Sequence, residues 1–139
     1  VIRRALALAA ALAGCAGEEA GARVELRGAG GAVVGSFAVV ARLDTPEGRA
    51  RGLVGRAPLG PDEALVLDYP VVDEACVTNA EVGSPITVVF AGADGAVRGV
   101  ESLAAHDARV PCRPAVLTVV ELAATARAAA DAASRVLVR

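Results

Sequence analysis

The chain has 139 residues, room for one domain with a hydrophobic core of ordinary size. Its hydrophobic fraction of 55% comes mostly from Ala, Val and Leu, with one Tyr, two Phe and no Trp or Met, and every basic residue is Arg. A formal net charge of −2 lacks the basic field that displaces counterions from a polyanion, so no nucleic-acid partner is expected.

Residues 1–15 read VIRRALALAAALAGC. Arg3 and Arg4 form a positive start, and Ala5 to Ala11 an apolar run too short to span a bilayer. Leu12-Ala13-Gly14-Cys15 then matches the lipobox of bacterial lipoproteins, with small residues before the cut and a thiol to take the lipid. Residues 1–14 are therefore expected to be a lipoprotein signal peptide and Cys15 the lipidated residue. The partner implied is a membrane, reached through the N-terminal lipid. Ala16, in place of an Asp that retains lipoproteins at the inner membrane, favours the outer membrane in a host with two. Residues 15–22 are the lipidated cysteine and a polar tether (Ala16 to Ala22, AGEEAGA), which reaches roughly 25 Å when extended.

Residues 23–139 form the domain. Arg23 to Arg27 alternates with period two, as a half-buried strand does, and the glycines at 28, 30 and 31 supply a turn into a longer strand, Ala32 to Leu43. Thr45-Pro46-Glu47 has the chemistry of a helix start: a capping hydroxyl, a proline suited to the first position, and an acid at the positive end of the dipole. Ala50, Leu53, Val54 and Ala57 give one apolar face, which predicts a helix running to Ala57. Ala64 to Tyr69 predicts a short strand closed by Pro70. A strand from Pro85, a turn at Asp94-Gly95 and a further strand make a hairpin. Residues 104–114 predict a loop, Ala115 to Leu122 a strand, Ala123 to Ser134 an Ala-rich helix, and Arg135 to Arg139 a last strand. Seven or eight strands with two short helices predict a mostly β (α+β) fold, a single compact barrel- or sandwich-like domain.

Three stretches in this order resemble a bacterial and archaeal family, domain of unknown function 192. Thr45 to Arg56 is similar to its T-x-E-x-R-x-x-G-L-M-x-R helix, with Val54 at the Met position. Asn79, Pro85 to Phe90 and Asp94-Gly95 resemble its W-M-x-N-T, I-P-L-D-x-x-F and D-G run, and Val119 to Leu122 its V-L-E-L strand. The second stretch departs from the pattern: Ala75-Cys76-Val77 replace the aromatic-Trp-Met triplet, and Thr87 stands at the Asp position. The resemblance implies a small mostly β fold and no agreed activity.

Among residues able to carry chemistry, Cys76 and Cys112 remain once Cys15 takes lipid. In an oxidising compartment they are expected to pair, the alternative being two separate buried thiols. Closing a loop of about 37 residues contributes roughly 3–4 kcal/mol in the chain-entropy model. Absence of a CxxC or a second Cys/His cluster argues against a metal site. His106, the single histidine, is either a surface loop residue or, beside Asp107, a general base. Arg56 and Asn79 coincide with family motif positions; with His106 they are the candidate ligand-binding residues. Arg49, Arg51 and Arg56 on one side, and Asp73, Glu74 and Glu81 on the other, read as solvated charges or as a polar patch. Glu121, an acid in an apolar strand, demands a partner, and an Arg is the expected one.

The reading is a cell-envelope lipoprotein acting as a binding or accessory module, toward an unknown envelope ligand or protein. No catalytic residue, metal or cofactor is assigned. One rival is an envelope enzyme with an acid–base site near Asn79 and His106; another is a structural partner of a second envelope protein. The enzyme reading predicts a concave pocket containing His106 or a carboxylate of strongly perturbed pKa, and the binding reading a pocket without one. The structural reading predicts an exposed apolar patch.

Overall fold

A computed structural model describes residues 21–139. The signal, Cys15 and most of the tether therefore lie outside the described residues. Strands β1 (Arg23–Arg27), β2 (Val33–Leu43), β3 (Glu63–Cys76), β4 (Ile86–Ala91), β5 (Val97–Leu103), β6 (Cys112–Ala123) and β7 (Arg135–Val138) join in one sheet ordered β5-β4-β6-β3-β2-β1-β7. All neighbours are antiparallel except β2 and β3. The sheet curls into a half-barrel, as the mostly β expectation required. Its two edges are tied at one end: Ala96 bridges Arg135, and the Val136 N–H donates to Gly95 O at 2.8 Å. That approach requires glycine at 95, where φ is +80° and a Cβ would lie 2.6 Å from Val136 O.

The central strands are buried on both faces, which is why β4, ITVVFA, is apolar but for Thr87, whose hydroxyl donates to Ala124 O at 3.4 Å. One face packs Val66, Val89, Val120 and Leu122 against Ala126 and Ala130, the latter on α2 (Arg127–Ala132). The other packs Leu65, Leu67, Val88, Phe90 and Val119 against Leu53, Val77 and Val82. Period two along each strand thus sorts side chains between two cores.

Four boundaries differ from the sequence expectation. Helix α1 (Pro46–Arg51) begins as predicted, with Thr45 Oγ1 accepting from the Gly48 N–H at 3.0 Å, but it ends at Arg51 instead of Ala57. Gly52 turns the chain out at φ +48°, and of the expected apolar face only Leu53 is fully buried. Pro70 does not close β3. It sits in a bulge, between the pairs Asp68–Thr118 and Asp73–Val116, where no ladder N–H is needed. Cys112 opens β6 instead of lying in a loop, and a residue of positive φ, Ala115, answers the bulge from the opposite strand. The Ala-rich helix divides into a 3-10 turn, Ala124–Ala126, and α2, ending before Ser134.

Candidate functional site

Cys76 and Cys112 stand opposite each other where β3 ends and β6 begins, with Cα atoms 4.1 Å apart, and they are disulfide-bonded. The bridge joins the last rung of the ladder, so it fixes where the chain leaves β3. Glu74 brings a carboxylate beside the two sulfurs, but sulfurs bonded to one another offer no thiolate to a metal.

Just past this bridge lies a cavity of about 340 Å³. Gly52 and Leu53, at the end of α1, form one wall; Val77 and Asn79, after the disulfide, form the other; Leu67 and Glu121 rise from the sheet. Cys76 itself lies on the rim. The volume falls at the lower end of the range for small-molecule pockets.

Glu121 is placed there by register. It pairs with Leu65 on β3 and Val88 on β4, so its side chain shares the face of Leu65, Leu67, Val88 and Val119. Only 4% of the residue is exposed, and its Oε2 has no hydrogen-bond partner among the described residues. Burial, acting alone, pushes the carboxyl up to about 7.

The expected Arg partner of Glu121 is therefore absent among the described residues. Arg49, which shares the cavity lining, is committed elsewhere: its Nη1 donates to Asp44 O at 2.7 Å and Asp68 O at 2.9 Å, and its guanidinium lies 4.8 Å from the centre of the Tyr69 ring. Burial raises the Tyr69 hydroxyl above its ordinary value, Arg49 opposes that shift, and the charge of Glu121 adds to it. Arg49 is a tie between α1 and β3, and the arginine triplet at 49, 51 and 56 does not converge on one point.

Asn79 is almost fully buried, and its Nδ2 donates to Ser84 O and Ala104 O, both at 2.9 Å. Those two carbonyls fix the amide orientation, since the flipped amide would point its oxygen at them. The fixed Oδ1 has no partner among the described residues. Asn79 thus does what a structural reading expects, tying two loops, and also presents an unpaired acceptor.

Arg56 and His106 do not line this cavity. Arg56 is exposed, its Nε donates to Gly52 O at 3.2 Å, and it borders a separate shallow hollow with Val40, Leu59 and Glu63. His106 is exposed at φ +52°, with Nδ1 3.1 Å from Ala80 O, so it braces the cavity loop from outside. Asp107 is not held toward His106. Its carboxylate accepts from Arg109 and from the Ala104 N–H, and the Arg109 side chain above all holds it far below the usual carboxylate range. Of the three candidate residues, the structure puts only Asn79 at the cavity.

The three motif stretches meet here. Gly52 and Leu53 come from the first, Asn79 from the second and Glu121 from the third. The model of the family DUF192, described as "Uncharacterized ACR", matches residues 31–134, most of the chain. The chain belongs to the DUF192 family. Two solved structures are similar to it. One is from Sinorhizobium meliloti 1021, described as a "putative transcription regulator": 24% identity, TM-score 0.71, covering 84% of this chain and 92% of that one. The other is a protein of unknown function from Novosphingobium aromaticivorans DSM 12444: 22% identity, TM-score 0.71, covering 83% of each chain. At such identities the likeness shows the fold alone. Nothing among curated proteins matches the chain.

The acidic residue of the V-x-E-L strand was visible in the sequence as an anomaly. Its missing partner was not, because that depends on where Arg49 is spent.

Proposed function

We propose that this DUF192 protein is a lipid-anchored module of the cell envelope that binds a small ligand in the cavity above Glu121. The observation that carries the binding half is convergence: residues from all three family motifs build one concave space, and two of its lining residues hold buried acceptors with no partner among the described residues. Natural proteins pair nearly all their buried polar atoms, so two orphans at one cavity favour a ligand that brings donors. The envelope half rests on the lipobox ending at Cys15 and on the Cys76–Cys112 disulfide, a bond that persists in oxidising compartments. The regulator description of the Sinorhizobium protein is not carried over, because a net charge of −2 supplies no field for nucleic acid.

Anchoring is tested in cells. Cys15→Ser leaves an unprocessed precursor that takes up no labelled fatty acid; normal processing and labelling of that variant would refute the lipoprotein reading.

The binding expectation of a pocket without a strongly perturbed carboxyl is not met, and this favours proton-transfer chemistry as a second reading: Glu121 is a cavity carboxyl near neutrality, the feature an acid–base enzyme needs. On this second reading the acid–base candidate is Glu121 and not His106. Binding remains ahead of it because the cavity's remaining acids and thiols are poor partners. Glu81 is exposed and Cys76 is consumed by the disulfide. Activity surviving in Glu121→Gln would exclude this second reading.

A further inference from the structure

Resting on the binding reading, we infer that the ligand group seated on Glu121 is an aliphatic primary ammonium, carried by a free amine or by a lysine side chain. The two unpartnered side-chain atoms of the cavity lining are acceptors, buried just beneath its surface: Asn79 Oδ1 and, once ionised, Glu121 Oε2. The occupant must therefore bring donors, and an ammonium brings three on one atom. A carboxylate or phosphate facing Asn79 Oδ1 and the ionised Glu121 would meet two acceptors and no donor from either. Guanidinium is broad and planar, and the walls are not shaped by polar edges that its fork would match. The lining also includes aliphatic Leu53, Val54, Leu67, Val77 and Val82, which suit a methylene stem.

Charge also selects a cation. On β6 and its neighbours the residues beside Glu121 in register, Leu65 and Val88, carry no charge. From α1, Arg49 is held by two backbone carbonyls and the Tyr69 ring, and Arg51 is exposed at the rim; from the loop, Glu81 is exposed at the rim. Neither arginine neutralises the buried carboxyl, so an ionised Glu121 stands without a counter-ion among the described residues until an ammonium arrives. On binding, Glu121 releases its proton to solvent and the ammonium keeps its own. Affinity therefore rises with pH between 6 and 8, by about tenfold for a carboxyl of pKa near 7.

The test uses the full chain, 15N-labelled, in nanodiscs of zwitterionic lipid, titrated with n-butylammonium chloride, Nα-acetyl-lysine N-methylamide and the uncharged control n-butanol. The expected result is saturable shifts of the amides of Gly52, Val77 and Asn79 with at least one of the two cations, stronger at pH 8 than at pH 6. Glu121→Gln, which keeps shape and removes charge, weakens that binding at least tenfold while its folded spectrum is retained. Whichever cation binds more tightly identifies the source, a free amine or a lysine side chain. If n-butanol binds as well as the cations, or Glu121→Gln binds them unchanged, the ammonium inference falls while the cavity remains a binding site. If no probe shifts those amides, both this inference and the binding reading are overturned.

Discussion

Glu121 and Gly52 face each other at the cavity: a Cβ added to Gly52 would stand 3.7 Å from Glu121 Oε1. The turn that ends α1 therefore passes directly over a carboxyl on the sheet, and glycine at φ +48° is what lets the backbone turn there. A longer helix, as the apolar spacing through Ala57 suggests, would not make this turn.

Glu121 sets a pH dependence of stability. Its folded-state value is raised above the ordinary 4.5, so the folded protein holds a proton that the unfolded chain releases. Stability from this group is full below about 4.5, is lost as pH rises toward 7, and is flat above. The loss amounts to about 3 kcal/mol for a shift of that size. Glu121→Gln removes the slope. Denaturant melts at pH 4.5 and pH 8 check it: parent and variant are expected to match closely at the lower pH, with the variant more stable at the higher.

The disulfide joins residues 36 apart and fixes the exit of β3 into the cavity wall. Replacing Cys76 and Cys112 together by Ser is expected to lower stability by about 3–4 kcal/mol. Adding reductant to the parent should move the denaturation midpoint the same way, with no further effect on the double variant.

Asn79 and His106 separate cleanly. Asn79→Ala strands the carbonyls of Ser84 and Ala104, and a loss of about 2–3 kcal/mol is expected. His106→Ala removes one contact from an exposed residue and should change stability by less than about 1 kcal/mol. Thermal unfolding of both variants at one pH distinguishes them; equal losses would contradict the assigned roles.

Much of this was legible in the sequence, and the failures have physical causes. Alternation along β1 and β2, the Thr45-Pro46 helix start and the Asp94-Gly95 turn are local signals, and each is where it was expected. The pairing of Cys76 with Cys112 followed from compartment chemistry and from their being the pair left over. Pro70 does not end its strand because the bulge it sits in needs no ladder N–H there, and a bulge exists only in the pairing with another strand, which local sequence does not display. Gly52 misled because apolar spacing continues past a residue whose backbone does not. Arg56 and His106 coincided with motif or chemistry but not with position. Glu121 stands out in the sequence for its charge, but the arginine expected beside it is absent among the described residues, and Arg49 is held by the carbonyls of Asp44 and Asp68.

Glu121, a buried and unpaired carboxyl in the cavity lining, governs both the choice of ligand and the pH dependence. Its side-chain carboxyl carbon, followed by 13C NMR across a pH series with Glu121→Gln supplying the assignment, should titrate with a midpoint at about 7. A midpoint at the ordinary 4.5 would mean that the group is solvated or paired, and would contradict the account.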